Sequence, residues 1–266
     1  MPLDTPKSIL HSAAQFGNIE LLKMILDKGA NVNVKGFRGF TPLMQAILER
    51  HVEVVKVLLE YGANPNHTCD GNGTPLSVSV CEKDMAENFD NAALKIFKLL
   101  IKYGAGASVN TKTLNYWTPL HNASKYGKVV EVEDLIKLGA DIEAKTDFGF
   151  TPLLSACENG QLPTVKALVK AGARMDARPH FLALGGGTSL HFAVNSDKID
   201  IVKFLVQSGA DFKATNFKGD TPLKMSIEKK KCGLPVDNRI TDFLIAMENG
   251  ECPYCIDRND PWKYPF

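Results

Sequence analysis

Net charge is almost absent from this sequence: 31 Lys and Arg stand against 30 Asp and Glu, leaving +1. No global field therefore draws the chain to DNA phosphates or to an anionic membrane, and nucleic-acid binding would need a local patch. Long apolar runs are lacking as well, since none approaches the roughly 20 residues that cross a bilayer. The opening Met1-Pro2-Leu3-Asp4 shows no basic-then-apolar leader. The expectation is a chain at work in the cytoplasm, and also in the nucleus, with neither nucleic acid nor membrane as its partner. Cysteine is sparse, six residues at Cys69, Cys81, Cys157, Cys232, Cys252 and Cys255, too few to form a disulfide scaffold at this length. Reduced thiols are expected. Common enzyme signatures are missing too: no Gly-x-Ser-x-Gly, Gly-x-x-x-x-Gly-Lys-Ser/Thr or His-Glu-x-x-His occurs, so no catalytic residue and no cofactor is expected.

What the sequence does have is a period. Thr-Pro-Leu recurs at Thr41, Thr74, Thr118, Thr151 and Thr221, with relaxed copies at Ser8-Ile9-Leu10 and Thr188-Ser189-Leu190. The spacings are 33, 33, 44, 33, 37 and 33, so six periods of 33 plus insertions of 11 and 4 span the 213 residues from Ser8 to Thr221. Gly-Ala follows 21 residues after the Thr position at Gly29, Gly62, Gly139, Gly172 and Gly209, and later, at Gly104, in the third copy. An insertion near Glu82 to Ala92 has lengthened that copy.

Each landmark has a physical job. Thr caps a helix N-terminus with its side chain, Pro suits the first helical residue because its missing N–H would be unpaired there, and Leu opens the buried stripe. Segments such as Val52 to Leu59 and Ile201 to Leu205 then read as a second, more apolar helix, ended by a left-handed glycine. One such pair cannot bury its own apolar face, so the copies must stack.

The pattern Thr118-Pro119-Leu120-His121-Asn122-Ala123, echoed at Leu190-His191-Phe192-Ala193, together with Gly-Ala-Asn-Val-Asn at 29–33, resembles the ankyrin repeat family. The resemblance covers residues 5 to about 250, as repeats near 5–36, 37–69, 70–113, 114–146, 147–183, 184–216 and 217–250, with a tail at 251–266. It implies an all-α solenoid of helix-turn-helix pairs with β-turn fingers, a non-enzymatic module that holds a protein partner in its concave groove as scaffold, adaptor or inhibitor. A monomer is expected. Two other readings stay open: a zinc or redox protein working through Cys252-Pro253-Tyr254-Cys255, and a pathogen or viral effector that engages host proteins through the same repeats. Copies 1 and 7 read as caps, with Lys224 and Lys229-Lys230-Lys231 on a solvated end face.

The residue before each Thr lies on the groove side of a finger, and there the sequence has Phe40, Gly73, Trp117, Phe150, Gly187 and Asp220. Near the finger tips stand Phe37 and Arg38, Tyr116, Phe148, and Phe217 with Lys218. Aromatics and Arg carry much of the binding energy at interfaces, so these residues form the expected partner surface. The alternative is that the rings stack on one another and merely support the groove. Arg178-Pro179-His180-Phe181, followed by Gly185-Gly186-Gly187, reads as a flexible finger overhanging the groove, and His180 and Phe181 join the expected surface. With no global field, binding is expected to depend only weakly on salt.

The histidines fit structural roles: His11, His121 and His191 share one motif position, His51 sits at an inter-helix turn, and His67 and His180 have no ligand constellation. Cys252 and Cys255 resemble the glutaredoxin dithiol, but only 11 residues follow them; a zinc site would need two more ligands. In the ankyrin family an Asn at the linker end, seven residues after a Leu, is a substrate for oxygen-dependent hydroxylation, and Asn33 after Leu26 and Asn66 after Leu59 match that spacing.

Overall fold

The computed structural model describes residues 9–81, 91–180, 185–234 and 237–251. Among the described residues the regular structure is helical, without a strand, and it falls into two compact units, Met1–Asp141 and Ile142–Phe266.

The first unit holds four helix pairs: α1 Ile9–Gln15 with α2 Ile19–Asp27, α3 Pro42–Leu48 with α4 Val52–Glu60, α5 Pro75–Ser79 with α6 Ala92–Lys102, and α7 Pro119–Tyr126 with α8 Val129–Lys137. Helices α1, α3, α5 and α7 pack in sequence as one row, while α2, α4 and α6 form the second. The second unit holds three pairs: α9 Pro152–Glu158 with α10 Leu162–Lys170, α11 Ser189–Asn195 with α12 Ile199–Gln207, and α13 Pro222–Lys231 with α14 Asn238–Glu248. Its rows run α9, α11, α13 and α10, α12, α14.

Helices this short are unstable alone, so each depends on its caps and on its neighbours. Thr41, Thr74, Thr118, Thr151 and Thr221 each accept the third-residue N–H of their helix, from Met44, Ser77, His121, Leu154 and Lys224 at 3.2–3.4 Å. Proline follows each cap. Second helices end at left-handed glycines such as Gly62 (φ +82°) and Gly139 (φ +84°). The core of unit one includes Leu22, Leu43, Met44, Leu58, Leu76, Phe97, Leu100 and Leu135, and that of unit two Leu153, Leu168, Leu190 and Leu205, all essentially solvent-free. Each such side chain contributes about 1.5–3 kcal/mol by leaving water.

A polar ladder joins successive linkers. Asn33 Oδ1 accepts the Asn64 N–H at 2.7 Å and its amide donates to Gly62 O at 3.4 Å. Asn66 donates to Gly104 O at 2.9 Å. Asn110 donates to Gly139 O at 3.0 Å and accepts from Asp141 at 2.8 Å. In unit two Glu143 accepts the Arg174 N–H at 2.7 Å. These residues occupy one repeat position, and each fixes the next linker.

Two expectations from sequence need correction. Lys229 does not stand in solvent at an end face; its ammonium donates to Asn195 O at 2.8 Å and Val194 O at 3.5 Å, capping the C-terminus of α11. The described parts of the supposed flexible finger are tied down. Arg178 donates to Thr215 O, His180 N–H donates to Phe148 O at 3.2 Å, and Gly185 O accepts the Phe217 N–H at 2.9 Å. The glycines give close approach instead of mobility: a Cβ on Gly187 would stand 2.5 Å from His191 Cβ, and one on Gly186 would stand 2.1 Å from the Phe217 ring.

Candidate protein-binding surface

In unit one the fingers are short turns closed by their own backbone. Gly36 donates to Phe40 O at 2.7 Å, Cys69 to Gly73 O at 3.0 Å, and Thr113 to Trp117 O at 2.9 Å. Backbone bonds also link finger to finger, Asp70 N–H to Arg38 O at 3.0 Å and Leu114 N–H to Gly71 O at 3.2 Å. Histidines brace the row. His11 Nε2 donates to Phe40 O at 2.9 Å and His67 Nε2 to Gly39 O at 3.1 Å, the proton lying on Nε2 because a carbonyl can only accept. The tips are therefore rigid platforms for whatever side chains they carry.

Those side chains are aromatic and cationic. Phe37, Tyr116 and Leu114 are exposed by 55%, 53% and 67%, a large apolar share for three positions on one row of stitched turns. Arg38 lies 5.3 Å above the Phe37 ring, Lys112 5.7 Å above Tyr116, and Lys125 5.4 Å above both Trp117 and Tyr126. Phe40 and Trp117 are half-buried, and the Trp117 ring leans on His121 at 5.7 Å. Tyr116 has φ +59°, a left-handed conformation that is strained for a bulky residue. The same position, two before the Thr, is Gly39 in repeat 2 and Asn72 in repeat 3, residue types that adopt positive φ readily.

Unit two differs. Phe150 is buried, with its ring edge-on to Phe192 at 5.1 Å, so of the two readings left open for this ring the supporting one describes its place. Phe148 and Phe217 remain exposed by 44% and 47%. His180 is exposed, with Nε2 donating to Asp147 O at 2.8 Å. Lys218 is exposed and lines an open cavity of about 420 Å³ together with Phe192, Met225 and Leu234. Phe181, Cys252 and Cys255 lie outside the described residues.

Motif histidines act within the scaffold. His191 Nδ1 accepts the Thr188 N–H at 3.1 Å while Nε2 donates to Asp220 O at 3.0 Å, which joins one helix start to the next finger. Burial pushes its pKa below the ordinary value. His121 Nδ1 accepts from Thr118 N–H at 3.2 Å in the same way, and His51 Nε2 donates to Gln15 O at 3.0 Å. Burial raises the Cys157 thiol far above its ordinary pKa, so it is unreactive. Among the described residues no group of three or more His, Cys, Asp or Glu could hold a metal ion, and no helix is long and apolar enough to cross a membrane. Leu114, the cations Lys112 and Lys125, and the ladder residues Asn110 and Glu143 were not among the residues expected from sequence. The signal for the last two was present, since they share the repeat position of Asn33 and Asn66.

Stacked helix pairs with hydrogen-bonded turn fingers define a helical repeat protein. Comparison with known proteins gives the family. The model for "Ankyrin repeats (3 copies)" matches residues 3–69 and 85–179, and the single "Ankyrin repeat" model matches 185–217. The chain belongs to the ankyrin repeat family and has the family's solenoid fold. It is similar to the crystal structure of the human ASB11 ankyrin repeat domain, at 27% identity over 90% of this chain and 97% of that one, with a TM-score of 0.71. No curated protein matches the sequence.

Proposed function

We propose that this protein is a non-enzymatic adaptor or scaffold that binds a protein partner through its finger tips and the adjoining face of the first helices. Ankyrin repeats are in general protein-interaction modules, and the finer reading rests chiefly on one observation. Tyr116 is held exposed in a strained backbone conformation on a row of fingers otherwise built for rigidity. Strain of this kind is retained where a site uses it. Phe37, Arg38, Phe40, Tyr116 and Trp117 form the principal surface, and Phe148, His180, Phe217 and Lys218 form a second one on unit two. Phe150 acts as support. A cytoplasmic and nuclear setting fits the absence of a disulfide among the described residues, and the protein acts as a monomer. Hydroxylation of Asn33 and Asn66 is carried as part of the same proposal; intact mass after exposure to a hydroxylase would show one added oxygen at each, and an unchanged mass removes it.

The binding reading is tested by affinity purification with the wild type against a Phe37→Ala, Tyr116→Ala, Trp117→Ala variant whose helical circular dichroism is intact. Proteins retained by the wild type should be lost by the variant. Equal retention by both would move binding away from these fingers.

A further inference from the structure

We infer that the finger row of unit one receives an acidic linear segment of its partner; this rests on the reading that the fingers bind protein, and it names the partner's chemistry. Three turns make up the row, Lys35 to Thr41, Cys69 to Thr74 and Lys112 to Thr118. Its cations are Lys35, Arg38 and Lys112, and its one carboxylate is Asp70. The Asp70 side chain lies against the turn Lys35 to Thr41, its Oδ1 standing 2.8 Å from where a Cβ on Gly39 would lie.

The cations are not matched locally. Among the described residues no carboxylate forms an ion pair with Lys35, Arg38 or Lys112. Ion pairs elsewhere join Lys137 to Asp134 at 3.2 Å, Lys224 to Asp220 at 2.6 Å, Arg174 to Asp176 at 3.0 Å, Lys231 to Glu228 at 2.9 Å and Arg239 to Asp237 at 2.5 Å. In unit one Arg38 and Lys112 stand over ring faces. A ring face holds the cation in place and shields its alkyl stem without neutralising it. An arriving carboxylate thus meets a positioned charge, and Arg38 can take it bidentately.

Between the two aromatic turns, the middle one has Gly71-Asn72-Gly73, nearly without side-chain bulk. It separates Phe37 with Arg38 on one side from Leu114 with Tyr116 on the other, and the backbone bonds described above tie the three turns together. A segment with acidic residues spaced to reach both cations, and an apolar residue between them, complements this row in charge and in exposed apolar surface. Each exposed ion pair contributes little, so several carboxylates and the apolar contact must act together. A nucleic acid fits less well, because cations already cover the ring faces on which bases would stack and the whole chain carries only +1.

The test selects a random peptide library on the full-length chain and measures the recovered peptides by fluorescence anisotropy. They are expected to be rich in Asp and Glu, to weaken about tenfold on an Arg38→Glu, Lys112→Glu double variant, to bind Lys170→Glu unchanged, and to weaken several-fold as salt rises through the range where the Debye length falls from about 10 to 3 Å. Recovered peptides without acidic residues that still need Phe37 and Tyr116 would overturn the acidic partner while keeping the fingers as the binding site. Peptides indifferent to both the charge reversals and the ring deletions, or no recovered peptide at all, would overturn both. Oligouridylate binding in place of peptides would assign the row to nucleic acid and end the proposal.

Discussion

Tyr116 and His191 show how single residues serve the scaffold and its surface. Replacing Tyr116 by Gly removes the strain of φ +59° at the expense of a more flexible unfolded chain, and the balance is a gain of roughly 0.5–1 kcal/mol. Chemical denaturation would show it, and a clear loss of stability would mean the ring is structural. His191 makes a pH-dependent contribution. Its folded-state pKa is depressed by burial, so the unfolded chain takes up the proton first as pH falls below about 6.5. The contribution is complete above that value and is lost on acidification, at up to about 1.4 kcal/mol per pH unit. Denaturation midpoints measured on either side of pH 6.5 should diverge for the wild type and diverge less for His191→Gln; an equal slope in both would place the titration elsewhere. At this scale the sequence was legible by phase but not by burial. Phe40, Trp117 and Phe150 share one repeat position, yet only Phe150 is buried, because Phe192 of the following repeat stands against it. At Phe192's position the other repeats have Ser12, Gln45, Val78, Asn122, Ser155 and Met225. A reading of one repeat at a time cannot see that partner.

At the scale of elements, caps and linkers determine which helix follows which. Helix starts were readable because Thr-Pro is a local signal whose physics needs no neighbour. The linker ladder was harder to see, since its bonds cross from one repeat to the next. Asn110→Ala removes a donor to Gly139 O and an acceptor for Asp141 N–H, which should lower stability by about 1 kcal/mol. The Gly-Gly-Gly run was misread because loop composition suggests flexibility, whereas two of its members make room for neighbouring side chains. Gly187→Ala would force a Cβ to 2.5 Å from His191 Cβ and should destabilise unit two by about 1–3 kcal/mol. A thermal midpoint equal to wild type would restore the flexible reading.

For the whole molecule, repetition means that contacts are made between adjacent pairs and no single core organises the chain. That leaves the fingers free to differ in chemistry while the scaffold stays the same. Charge is distributed accordingly: the total of +1 conceals a unit-one finger row with three cations, Lys35, Arg38 and Lys112, against one carboxylate, Asp70. The weak salt dependence expected from the total is therefore revised at the fingers. The division between rings that bind and rings that support is the central claim, and parallel alanine substitutions at Tyr116 and Phe150 test it most directly, with thermal stability and partner retention read on the same samples. Tyr116→Ala should keep the thermal midpoint and lose the partner, while Phe150→Ala should lower stability by about 3 kcal/mol and retain the partner in whatever fraction stays folded. The reverse pattern, Tyr116→Ala unfolding the protein and Phe150→Ala abolishing binding with the fold intact, would contradict the account.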